Sequence, residues 1–169
     1  SQLKGFFEAM QVSLENEEIL AYHDRGDGGL FATVAEMAFA GHCGVDINID
    51  GLGEDPLAVL FNEELGGVIQ VASSSVKEVI KRFEKAGVSI AKLGWLNTHD
   101  SVRVECGGEV IYDESRAELQ RIWSETSYRV AALRDNADCA KSEFDRITQV
   151  DPGLSATLSF DQNIDVAAT

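Results

Sequence analysis

Ile19-Leu20-Ala21-Tyr22-His23-Asp24-Arg25-Gly26-Asp27-Gly28-Gly29-Leu30 is the stretch from which the fold is read. Ile19 to Tyr22 is a short apolar run, the mark of a buried strand. His23 to Gly29 follows, dense in Gly and Asp. Leu30 to Ala40 then places Leu30, Phe31, Val34, Met37, Ala38 and Phe39 as a helix would. Strand end, glycine-rich loop and helix start present backbone N–H groups and a positive helix end, which suits a phosphate. Asp24 or Asp27 could hold a Mg²⁺ that bridges phosphate oxygens. The loop lacks the Lys-Ser/Thr ending of a Walker A motif. It reads equally as a tight turn in which Asp27 caps the helix, the glycines relieve strain and Gly41 stops the helix.

Outward from this stretch, Leu3, Phe6, Phe7, Met10 and Leu14 form an apolar stripe on a preceding helix. Downstream, Val45, Ile47 and Ile49 alternate with Asp46, Asn48 and Asp50, as in a half-buried strand. Pro56 opens a short helix through Phe61. Leu65–Val71 and Val88–Leu96 read as strands. A capping box at Ser75 starts a helix ending near Gly87. Val102–Cys106 and Glu109–Tyr112 flank Gly107-Gly108 as a hairpin with a primed turn. A second capping box at Ser115 opens a long helix with Leu119, Ile122, Trp123, Val130 and Leu133 on one face. Another helix covers Ala137 to Ile147. The order of elements is not a strict βαβ alternation, so the fold class is α+β, a mixed β-sheet with packed helices. Residues 1–150 make the domain and 151–169 read as a polar tail or linker.

The 169 residues fit one domain, and 44% hydrophobic residues suffice for a core. Fourteen basic against 29 acidic residues give a net charge of −15. That charge disfavours nucleic acid and anionic membranes as partners. No apolar run approaches the roughly 18 residues of a membrane span. Cys43, Cys106 and Cys139 are odd in number and lack Cys-x-x-Cys spacing, which fits a reducing, cytoplasmic setting. Asp46-x-Asn48-x-Asp50-Gly51 matches the opening of an EF-hand loop, but its twelfth position is Leu57 instead of Glu. Solvent-facing residues of a strand are the better reading.

Several motifs, in order, resemble the large single-chain phosphoribosylformylglycinamidine synthase of purine biosynthesis. They are Leu20 to Leu30, Ala35-Glu36-Met37-Ala38-Phe39-Ala40-Gly41 and Leu60-Phe61-Asn62-Glu63-Glu64-Leu65-Gly66. Trp123-Ser124-Glu125-Thr126-Ser127-Tyr128, Leu133-Arg134-Asp135-Asn136 and Leu158-Ser159-Phe160-Asp161 complete the set. The resemblance implies the C-terminal half of the second of two aminoimidazole-ribonucleotide-synthetase-like units. The family's enzyme joins formylglycinamide ribonucleotide with nitrogen from glutamine at the expense of ATP.

The resemblance also assigns residues. Its His-Asp-Arg-Ser-Asp-Gly-Gly-Leu loop belongs to a second nucleotide site, regarded as structural and holding ADP. The Mg²⁺ ligand of that loop maps onto Asp24. Its nucleotide-contacting Ser is Gly26 here, so only a backbone contact remains at that position. No catalytic residue is implied within this chain. The glutaminase domain and the other synthetase halves would be its partners on the same polypeptide, and Ser1 would be a cut edge. The resemblance therefore implies a piece that is inactive alone. The alternative is an auxiliary Mg-ADP module without turnover.

Overall fold

The computed structural model describes residues 1–150, 153, 156–159 and 161. The 151–169 tail lies largely outside the described residues. Helix α1 (Gln2–Glu15) leads into strand β1 (Ile19–Asp24), helix α2 (Gly29–Gly41) and strand β2 (Gly44–Asn48). Helix α3 (Pro56–Phe61), strand β3 (Gly67–Val71) and helix α4 (Val76–Lys85) follow. Strands β4 (Gly94–Asn97), β5 (Ser101–Cys106) and β6 (Glu109–Ser115) precede helices α5 (Arg116–Arg134) and α6 (Ala137–Arg146).

The class is α+β, as the sequence implies, but the strands divide between two sheets. β1 pairs antiparallel with β3, with Asp24 opposite Gly67. The other sheet has the order β4-β2-β5-β6 and is mixed. β2 runs parallel to β5, while the β2–β4 and β5–β6 pairs are antiparallel. Gly107 and Gly108 both have positive φ, 62° and 78°, as a primed hairpin turn requires.

Two apolar clusters hold the layers together. Leu30, Val34, Ile47, Ile49, Leu60 and Val104 seat α2 and α3 on the mixed sheet. Ala9, Met10, Val79 and Phe83 join α1 to α4, with Ile69 and Val71 of β3 packed against them. The helix α1 forms as expected, and its apolar stripe is only partly covered among the described residues. Met10 is buried, but Leu3, Phe7 and Leu14 stay exposed. The buried face is Gly5, Ala9, Met10 and Ser13. A Cβ on Gly5 would stand 2.2 Å from the Ala86 carbonyl oxygen, so small residues face the α4 end. The α5 stripe fares similarly: Ile122, Trp123, Val130 and Leu133 are exposed.

Other expectations shift for local reasons. The strand expected over Val88–Leu96 begins only at Gly94, because Val88 and Ile90 turn into the α1–α4 cluster instead of joining a ladder. Ser75 makes no side-chain capping bond to α4, whereas the Ser115 hydroxyl accepts from the Glu118 N–H at 3.4 Å. The left-handed residue closing α2 is His42, at φ 48°, not Gly41.

Candidate functional site

β1 and α2 are joined by the four residues Arg25 to Gly28; of the predicted site residues, Asp24 immediately precedes this connection and Gly26 lies within it. Asp24 ends β1. Its carbonyl accepts from the Thr33 hydroxyl at 3.3 Å, which ties the strand end to the first turns of α2. Its carboxylate is 76% exposed. Gly26 is also exposed, and a Cβ built on it meets nothing within 4 Å.

Asp27 does not cap α2. The N-cap is Gly28, at φ 80°, which has no side chain to bond the first helical N–H groups. Gly29 follows at φ 67°, and a Cβ there would lie 2.7 Å from the Leu60 carbonyl oxygen. Two successive left-handed residues displace the chain from the position in which Asp27 would reach forward to cap. The Gly29 N–H closes the turn on the Gly26 carbonyl at 3.0 Å.

The acceptor for the Gly28 N–H comes from elsewhere: Glu63 Oε1, at 3.1 Å. The adjacent Glu64 engages Arg25, whose Nε donates to the Glu64 carbonyl at 2.7 Å while Nη2 stands 3.7 Å from its carboxylate. The Arg25 N–H donates to the Gly66 carbonyl at 2.8 Å. The Asn62–Gly66 turn is thus clamped over the loop. A cleft of about 370 Å³ opens beside it, lined by Arg25, Leu30, Leu52, Asp55, Val59 and Glu64 among others. A groove of about 430 Å³ along α6 shares no residue with the loop.

On the other side of Asp24, Glu36 joins three elements. One carboxylate oxygen sits 2.7 Å from His23 Nε2, and the other accepts from Trp123 Nε1 at 3.1 Å. His23 Nδ1 lies 2.7 Å from the Asp24 carbonyl oxygen. A neutral imidazole donates from one nitrogen only, so a charged ring satisfies both acceptors. Partial burial works against that charge, but the Glu36 bond and the Asp24 carbonyl outweigh it, and the pKa of His23 is raised.

No chemical pattern in the sequence singles out Glu36, Glu63, Glu64 or Trp123; their only signal there is membership of the ordered motifs. The EF-hand-like residues go to structural work. Asp46 accepts from Asn97 Nδ2 at 2.8 Å within the β2–β4 pair. Asp50 accepts from the Gly107 N–H at 2.7 Å, which lowers its pKa. Among the described residues no group of three or more His, Cys, Asp or Glu side chains is placed to hold a metal. Asp24 is one exposed carboxylate outside any such group, and a Mg²⁺ there would need phosphate and water for the rest of its ligands. No helix among the described residues is long and apolar enough to cross a membrane.

Fold and site together define an α+β domain with a glycine-rich strand–loop–helix crossing clamped by an acidic turn. Residues 2–107 match the family described as AIR synthase related protein, C-terminal domain, and the chain belongs to that family. Solved structures share the fold. Thermotoga maritima PurL complexed with FGAR matches with a TM-score of 0.63 at 16% identity, covering 69% of this chain and 20% of that one. Thermotoga maritima PurL complexed with ATP gives 0.61 at 17% identity, covering 67% and 20%. PurLQS from the same organism gives 0.62 at 16% identity, again covering 67% and 20%. The chain thus spans about a fifth of the length of these structures.

Proposed function

We propose that this chain is a synthetase-type domain of a phosphoribosylformylglycinamidine synthase, the C-terminal half of its second synthetase-like unit. In this reading residues 1–150 form the domain, and 151–169 link it to a glutamine amidotransferase domain. The parent enzyme is a cytoplasmic ATP-dependent carbon–nitrogen ligase acting on formylglycinamide ribonucleotide and glutamine. The rest of the polypeptide is this domain's principal partner. The observation that carries the reading is the Asp24–Gly29 crossing, closed by the Asn62–Gly66 turn, in a chain of the AIR synthase related family. Support also comes from likeness to PurL structures complexed with ATP, ADP and FGAR.

Within this domain the loop binds nucleotide phosphate and does not itself carry out chemistry. The phosphate would take the backbone N–H groups of Gly26 and Gly28, and Asp24 would hold the Mg²⁺. A Mg²⁺ held by Asp24 would supply positive charge against the phosphate. The protein's contribution is placement: Thr33 and His23 fix the Asp24 backbone, and Arg25 anchors the turn over the loop.

The test is Asp24→Asn in the full-length enzyme, with co-purifying ADP and glutamine-dependent turnover measured together. Bound ADP should fall at least about tenfold, since a direct metal ligand is lost. ADP lost with turnover retained marks an auxiliary nucleotide site. Parallel loss in a folded protein marks a site needed for catalysis. Undiminished ADP removes Asp24 from the site.

A further inference from the structure

Glu63 reaches the N–H group on which a phosphate-binding loop depends. The Gly28 N–H stands at the start of α2, where backbone donors have no partner within the helix. The positive helix end favours an anion there. Glu63 Oε1 accepts from that N–H at 3.1 Å. Its neighbour Glu64 does something different, pairing with Arg25 and holding the turn down. The turn is further fixed by the Glu64 N–H, which donates to Asn62 Oδ1 at 2.8 Å. Glu63 is itself exposed, so its carboxylate can rotate away without disturbing either apolar cluster.

We infer that Glu63 is a built-in competitor for phosphate: its carboxylate occupies the anion position over Gly28, and an incoming nucleotide phosphate displaces it. The inference rests on the nucleotide-binding reading above. A carboxylate and a phosphate cannot share one N–H donor, and their like charges repel at this separation. Glu63 thereby lowers the affinity of the loop for any anion and satisfies the loop when nucleotide is absent. The clamp formed by Glu64, Arg25 and Gly66 stays in place throughout, so exchange needs one side-chain rotation and no movement of the turn.

The full-length enzyme, freed of nucleotide, is titrated with Mg-ADP and separately with inorganic pyrophosphate. Wild type is compared with Glu63→Gln, Glu63→Ala and Glu109→Gln. The last removes the same charge on another element, at the start of β6. Both Glu63 variants should bind about two- to fivefold more tightly, the range for one exposed charge at a helix end. Glu109→Gln should leave binding as it is. In the nucleotide-free state, hydrogen exchange of a peptide spanning residues 25–31 should be faster in Glu63→Ala than in wild type. Equal or weaker binding by both Glu63 variants, with wild type binding normally, overturns the competitor role and leaves the nucleotide reading standing. No binding by any of the proteins overturns the nucleotide reading, and the competitor role with it.

Discussion

Gly26, Gly28 and Gly29 share a loop but answer to different constraints. Gly28 and Gly29 have positive φ, and a Cβ at Gly29 would press on the backbone of Leu60 and Phe61. Gly29→Ala therefore combines a left-handed alanine with a backbone clash at the α2–α3 contact. It should cost about 2–4 kcal/mol of stability. Gly26 lacks both constraints, so Gly26→Ser should change stability by less than about 0.5 kcal/mol. Urea midpoints of the two variants measure the contrast, and an equal loss in both would refute it. The same geometry bears on the Ser that the resemblance to the synthase motif implies at this position. The backbone at Gly26 accommodates a hydroxymethyl group, so the missing hydroxyl is not imposed by the shape of the loop. Gly26→Ser should then restore a side-chain donor without rebuilding the turn.

At the scale of elements, α1 and α4 meet around an ion pair as well as an apolar cluster. Arg82 of α4 donates to the buried Ser13 hydroxyl at 2.7 Å and also engages the Glu18 carboxylate just beyond α1. The Arg82 hydrogen bond holds the Glu18 pKa below its ordinary value of 4.5. A depressed carboxylate pKa stabilises the fold above the unfolded-state value, and that contribution is lost as pH falls through the folded-state value. Glu18→Gln should therefore lower the thermal midpoint near pH 7, and the gap to wild type should narrow as pH falls below the ordinary glutamate range, about 4.3, and through the lower folded-state value. A gap independent of pH would mean that Glu18 acts by packing and not by charge. This junction also shows what was legible in the sequence. The helix at Leu3–Leu14 was plain from its spacing, but the buried face was not. Hydrophobicity points to Phe7 and Leu14, while close approach at Gly5 selects the small residues. Likewise the loop at Asp24–Gly29 reads in the sequence as a phosphate cradle or as a turn capped by Asp27, and the structure removes the Asp27 cap. That Glu63 and not Asp27 bonds the helix start depends on a contact across 35 residues, which no local pattern encodes.

Across the whole molecule, stability is unevenly shared. Val102 and Val104 of β5 are 0% exposed and lie at the centre of the mixed sheet. α5 is fixed at its start, where Arg116 Nη2 donates to Asp100 Oδ2 at 2.9 Å, and again at Trp123, which meets Phe39 and Glu36. Beyond Trp123, α5 packs chiefly on α6, through the stacked rings of Tyr128 and Phe144 4.4 Å apart. α6 buries only Ala140. A helix pair with so little buried apolar surface opens locally at a much smaller cost than global unfolding. Backbone amides of α6 should thus exchange at least about 100-fold faster than those of β5, whose opening requires the mixed sheet to come apart. Phe144→Ala should speed exchange in α6 and the end of α5 while leaving β2 and β5 unchanged. Hydrogen exchange read peptide by peptide separates the cases. If α6 and β5 exchange together in one cooperative step, the helix pair belongs to the same folding unit as the sheet. If they part as expected, the Trp123–Glu36–His23 bonds mark where the stable body ends. The Asp24–Gly29 loop, one residue beyond His23, would then lie on its stable side.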